Sequence, residues 1–192
     1  MKIHHPTCSC GHAHKIQYRL WHKWLFVLYV VVISFIAMKP LIIRQLSTRA
    51  SSYMTCALYH DAIRIYKKAI LFDRKNAVLW EDLGYAYQVS GDIEKASQAY
   101  RDALRADPKS KSAYLSLGAI FMAQERYREA VLCFESIRLL GPENKKDLEV
   151  NVLAYHRSAL QMLVKCYDVL GEDQKKEDVL KDFRRYYPES NF

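Results

Sequence analysis

The side chains best suited to coordination chemistry crowd the start of the chain. Residues 4–14 read HHPTCSCGHAH and bring together His4, His5, Cys8, Cys10, His12 and His14. Thiolates and imidazoles select zinc, copper and similar ions. That makes Cys8, Cys10, His12 and His14 the candidate metal ligands. The spacing is unfavourable: zinc sites usually place about two to four residues between paired cysteines, whereas Ser9 alone separates Cys8 from Cys10. Covalent haem attachment needs C-x-x-C-H, and Cys8-Ser9-Cys10-Gly11-His12 falls one residue short of it. Two readings stay open: a tail with adventitious metal affinity, and a metal-handling or redox accessory role, such as cytochrome maturation, with zinc or copper held at the tail.

The rest of the chain offers little chemistry. Cys56, Cys133 and Cys166 are isolated, form no disulfide framework, and are expected to act as small buried apolar residues. His60 and His156 stand alone and are expected to be structural or surface residues. No Ser/His/Asp or Cys/His set has motif spacing, and no glycine-rich loop follows a strand. A non-enzymatic protein is expected.

The elements that must position these residues follow from composition and charge. The 192-residue chain is 51% hydrophobic and 26% charged, enough to bury a core. With only 6 glycines and 5 prolines it is poor in breakers, which favours helices over turn-rich sandwiches. The net charge of +8 is unevenly placed: residues 1–43 hold five bases and no acid. Bases beside an apolar run point to a membrane, not to a nucleic-acid stripe on a folded domain. From Trp24 to Ile43 only Lys39 is charged. As a helix this run spans about 30 Å, the thickness of a bilayer's hydrocarbon core. Tyr18, Trp21 and Trp24 stand where an aromatic belt belongs. We therefore expect a basic Cys/His-rich tail over 1–20 and a single transmembrane helix over 21–43. The short acid-free segment before it favours a cytoplasmic N-terminus, with the folded domain on the far, periplasmic or extracytoplasmic, side.

From residue 43 a period of 34 sets in. The unit 77–110 contains Trp80, Leu83, Gly84, Tyr87, Gly91, Ala96, Tyr100, Ala103 and Pro108. In 111–144 the same slots hold Tyr114, Leu117, Gly118, Phe121, Ala130, Phe134 and Pro142, and in 43–76 they hold Tyr53, Ala62, Tyr66 and Ala69. Each unit reads as two helices, with small residues where they approach and aromatics filling the space between units. A looser unit at 157–190 carries Leu160, Leu163, Tyr167, Gly171, Leu180, Phe183 and Pro188, with Val164 and Lys176 in small-residue slots. We expect one lengthened helix over 145–170 and a diverged C-terminal cap over 145–192. Lys175, Lys181, Arg184 and Arg185 are expected on its solvated face.

The spacing W-x-x-L-G-x-x-Y…A-x-x-x-Y…P resembles the tetratricopeptide repeat (TPR) family, over residues 43–144 and more loosely beyond. The resemblance implies an all-α helical-hairpin solenoid, here preceded by a single transmembrane helix. It further implies a non-catalytic scaffold that binds a protein or peptide partner in a groove lined by the first helix of each unit. Carried onto this sequence, that groove comprises Ser47, Ser51, Met54, Val78, Glu81, Tyr85, Gln88, Val89, Ser112, Leu115, Ala119, Met122 and Ala123. Tyr85, Leu115 and Met122 are expected to anchor apolar side chains, and Glu81 and Gln88 to fix register by hydrogen bonds. Some TPR domains clamp a carboxylate with basic groove residues. The corresponding positions here are Ser47, Ser51, Asp82, Ser112 and Ser116, none of them basic, so a carboxylate clamp is not expected. The expected function is a membrane-anchored adaptor that assembles a complex around an amphipathic or extended segment, with the bilayer as its second partner and no nucleic acid.

Overall fold

The computed structural model describes residues 10–142 and 153–188. Among them are eight helices and no strand. They are α1 (Cys10–Thr55), α2 (Tyr59–Phe72), α3 (Ala77–Val89), α4 (Ile93–Ala106), α5 (Lys111–Ala123), α6 (Tyr127–Leu140), α7 (Leu153–Leu170) and α8 (Asp173–Tyr186). The chain divides into two compact units between Gln45 and Leu46, within α1. The expected lengthened helix over 145–170 is seen only as α7; its residues 145–152 lie outside the described residues.

In the first unit the helix carries the apolar run and includes Pro40. Side chains from Lys23 to Met38 are all exposed. Among the described residues one stretch is long and apolar enough to cross a membrane, within Lys23–Thr55, with a mean hydropathy of 2.5.

The second unit is an all-α stack of hairpins. The pairs α3/α4, α5/α6 and α7/α8 pack internally, and α2/α3, α4/α5 and α6/α7 join one hairpin to the next. The end of α1 meets α2 where the Ser51 and Tyr66 hydroxyls approach to 3.5 Å. Small residues let the helices close: Ala50, Ala62, Ala96 and Ala130 are wholly buried. Tyr100 is buried against Gly84 of its own hairpin, where a Cβ would stand 2.8 Å from the ring. Phe134 does the same on Gly118, at 2.6 Å. These two aromatics therefore pack within their hairpins, whereas the sequence placed them between hairpins. Tyr87 is the one that lies between α2 and α4.

One turn recurs in every unit. Ala57, Gly91, Glu125 and Gly171 all have positive φ. In each turn the next residue's N–H (Leu58, Asp92, Arg126, Glu172) donates at 2.9 Å to the carbonyl five residues back. This is the bond of a Schellman cap, which satisfies an orphan carbonyl at the end of a helix. Glycine is the usual occupant because a Cβ is strained there, so Ala57 and Glu125 hold the conformation against their own preference.

Of the isolated cysteines and histidines, Cys56 alone departs from expectation. Cys133 and Cys166 are buried, and burial pushes both thiols up to about 11. Cys56 is exposed, because it falls in the α1–α2 turn and not on a helix face. His156 is fully buried, its Nδ1 2.9 Å from the Tyr187 hydroxyl, whereas His60 is exposed. Lys176 occupies an alanine slot by turning its ammonium out to Asp168 at 2.7 Å and Asp173 at 3.1 Å.

The Gly84–Tyr100 contact yields a measurable expectation. Gly84→Ala should destabilise the stack by about 1–3 kcal/mol, the usual cost of overpacking. The buried ring has little room to yield. Tyr100→Leu in the same protein should restore part of that loss. Urea unfolding followed by circular dichroism across the double-mutant cycle reads the coupling. Additive losses would mean that the ring and the glycine do not constrain each other.

Candidate functional site

The face formed by the first helix of each hairpin is built chiefly on α3. Two of its turns end outward in Val78 and Tyr85, 61% and 58% exposed, and Val89 is exposed at its end. Burial of α3 instead falls on Leu79, Leu83, Gly84, Ala86 and Tyr87, so the helix presents two faces with distinct work. On α5, Ala119 and Ala123 are exposed, while Ser112, Leu115 and Met122 are half-buried. Ser47 and Met54 are half-buried and Ser51 is exposed near the end of α1. Every sequence-derived groove position is thus at least partly accessible.

Between these side chains runs a set of internal hydrogen bonds. Tyr100 Oη reaches past Gly84 and donates to Gln88 Oε1 at 3.0 Å. Ser110 Oγ donates to Glu81 Oε1 at 2.6 Å and accepts from the Ala113 N–H at 3.1 Å, so one hydroxyl ties α3 to the start of α5. Glu81 and Gln88 were expected to set a partner's register. Within the fold, each already spends one acceptor on its own chain. The hydroxyls of Tyr66 and Tyr100 belong to the site as well. By their place in the repeat both rings read as packing residues only. For Tyr100 the available signal is the small residue opposite its ring, Gly84, which lets the phenol reach through.

The site is acidic. Asp82 lies beside Glu81, and burial first, then the neighbouring carboxylate, raise its pKa from 3.8 to about 6. Burial also pushes the Tyr100 phenol up to about 12 and raises that of Tyr66. The hydroxyls around Asp82 therefore stay neutral. A cationic or amide donor brought against it would relieve an uncompensated carboxylate, and a partner's carboxylate would meet repulsion. Among the described residues no group of histidine, cysteine and carboxylate side chains could hold a metal. The metal-ligand reading of the tail is not addressed there: Cys8 lies outside the described residues, and for Cys10, His12 and His14 only the backbone of α1 is described.

Asp82 should make stability depend on pH. Its folded-state pKa lies above 3.8, so its favourable contribution is complete below pH 4 and is lost as pH rises through about 6. Glu81 on the same helix, with Tyr66 from α2 and Tyr100 from α4, forms its charged and titratable surroundings. Asp82→Asn should raise the melting temperature at pH 8 and leave it nearly unchanged at pH 4. Equal effects at both pH values would contradict a raised pKa.

Residues 46–186 match the model of the Cilia and flagella-associated protein 70 middle TPR-like domain. The match begins at the first residue of the second compact unit and ends with α8. Small glutamine-rich tetratricopeptide repeat-containing protein 2 of Mycosarcoma maydis is 29% identical over 101 residues, which are 53% of this chain and 29% of that protein. The chain spans under a third of the length of the curated relatives it matches, 8% and 29%. Among solved structures, the MamA protein superposes with a TM-score of 0.58 at 19% identity, over 78% of this chain and 79% of that one. The second TPR domain of human RPAP3, in complex with the HSP70 peptide SGPTIEEVD, superposes with a TM-score of 0.54 at 23% identity, over 67% of this chain and 97% of that one. At these identities the structural likeness speaks for the fold.

Proposed function

The chain belongs to the family of the Cilia and flagella-associated protein 70 middle TPR-like domain, and from that premise we propose that it is a membrane-anchored adaptor. Its role is binding, not catalysis. The observation that carries the reading is the α3 face, on which exposed Val78, Tyr85 and Val89 flank the acidic pair Glu81 and Asp82. Apolar side chains at such positions act as anchors, and aromatic ones are the commonest hot spots. An amphipathic or extended segment fits this face, with apolar residues on Tyr85, Leu115 and Met122 and a basic or amide group against Asp82.

The peptide in the RPAP3 complex ends in Glu-Glu-Val-Asp. A tail of that charge does not suit the face proposed here, which has Asp82 at a clamp position and serines at the others. The two uses of a like fold thus differ in sign of charge. Tyr85→Ala together with Met122→Ala should weaken binding of the partner by about 1–2 kcal/mol per anchor. It should leave the helical signal intact, because Tyr85 is 58% exposed. Undiminished binding by the folded double mutant would remove this face from the function.

The anchor is the run within α1, whose exposed apolar residues from Trp24 to Met38 suit a hydrocarbon surround. We place the N-terminus in the cytoplasm and the repeats on the far side. The full chain should stay with membranes through alkaline carbonate and high salt and leave them in detergent. Recovery of the full chain from the soluble fraction without detergent would overturn the anchor. Labelling of the repeats by an impermeant thiol reagent only after lysis would reverse the orientation.

A further inference from the structure

A second concave surface lies on the opposite side of α3, between α2 and α4. Its central cavity, about 620 Å³, is walled by Ile70 and Leu71 of α2 and Ala99 of α4 and floored by Trp80, Leu83 and Tyr87 of α3. It shares Lys67, Tyr87 and Lys95 with a cavity toward the starts of both helices, and Arg74, Trp80 and Asp102 with one toward their ends. The helices therefore run parallel, and the three cavities form one trough along α2. At 14 residues that helix is about 21 Å long. Leu71 is 69% exposed within it. Trp80 is fixed by its indole N–H, which donates to the Arg74 carbonyl at 2.9 Å.

The charges of the trough are unbalanced. Its carboxylates are Asp102, held by Arg105, Asp92, held by Lys95, and Glu94 at the start of α4, against the six bases Lys67, Lys68, Arg74, Lys75, Lys95 and Arg105. Among the described residues Lys68, Arg74 and Lys75, along α2 and just beyond it, make no salt bridge, while Lys67 interacts electrostatically with Asp92. Lys67 stands over the Tyr87 ring, 5.5 Å from its centroid. An apolar trough with an excess of cations along its edge calls for a ligand with both complements. A lipid surface is too flat to enter a cleft between two helices. A nucleic-acid backbone has no aliphatic group for the Leu71, Ile70 and Ala99 walls.

We propose that the α2/α4 trough is a second docking surface, for an acidic amphipathic helix of a partner protein. One or two of its apolar side chains seat between Leu71, Trp80 and Ala99, and its carboxylates meet Lys67, Lys68 and Arg74. The surface is separate from the Tyr85 face, lies on the other side of the same helix, and does not depend on the reading of that face.

The test uses the full chain in phosphatidylcholine nanodiscs. The probe is a fluorescein-labelled amphipathic peptide as long as α2 (14 residues), with leucines at i, i+3, i+4 and i+7 and glutamates elsewhere. A control peptide carries glutamine for glutamate. Anisotropy should show salt-sensitive binding of the acidic peptide and much weaker binding of the control. Lys68→Glu with Arg74→Glu should reduce the affinity roughly tenfold or more, the scale of reversed charge pairs. Leu71→Ser should also reduce it. Tyr85→Ala with Met122→Ala should not change it. Lys68 and Leu71 are exposed, and the Arg74 group bonded to Trp80 is its carbonyl, so these variants keep the fold, as circular dichroism will check. The proposal is overturned by undiminished binding in the charge-reversed variant, by equal binding of the control peptide, or by loss in the Tyr85/Met122 variant. Failure of the acidic peptide also overturns it. Phosphatidylserine vesicles bound through Lys68 and Arg74 would in that event assign the trough to a membrane.

Discussion

Tyr100 lies so close to Gly84 that the smallest side chain at that position would press into its ring. The same constraint joins Phe134 to Gly118. It sets how near the two helices of each hairpin can come, and much of the second unit follows from that distance. Where the first-helix residue is glycine, an aromatic fills the space. At the corresponding slots of the last unit stand Val164 and Leu180, so a larger residue in one place accompanies a smaller one in the other. Close packing leaves no room for both to be large. The contact also has a functional product: the Tyr100 hydroxyl passes the glycine and emerges beside Gln88 on the accessible face.

The two sides of α3 carry opposite charges. One side offers Val78 and Tyr85 with Glu81 and Asp82; the other offers Trp80 and Leu83 beneath the lysines of α2 and Arg74 just beyond it. A helix of 13 residues thereby borders two surfaces of different chemistry. Separation of this kind lets one repeat discriminate between partners by electrostatic sign, since juxtaposed like charges are costly. It also assigns Asp82 a role beyond packing. A carboxylate kept partly buried beside another is held at a free-energy cost, and a cationic partner would relieve it.

The hairpin turns show how far a repeated geometry can outlast its preferred residue. Four turns share a positive φ and the same 2.9 Å bond, yet only two have glycine. The packing of the flanking helices fixes the turn in the other two. Tertiary contacts therefore override local preference at Ala57 and Glu125. Cys56 is exposed for a related reason, since it occupies the turn that precedes α2.

Much of this was legible in the chain itself. The 34-residue spacing of Gly84, Tyr87, Ala96, Tyr100 and their counterparts determined the all-α hairpin stack, because a residue type that repeats at a fixed interval must meet the same steric demand each time. The groove positions on α3 and α5 are what the resemblance to the TPR family implies when carried onto that period. The apolar run from Trp24 likewise determined a helix long enough for a bilayer, through length and hydropathy alone. Only the tertiary structure decided which neighbour each side chain serves. Tyr100 turned inward to its own hairpin, Glu81 and Gln88 became ties within the fold, and the bases of α2 came to edge an apolar trough formed with α4. Periodicity specifies which face of a helix a residue occupies, whereas hydrogen-bond partners and uncompensated charges depend on distances between segments far apart in sequence.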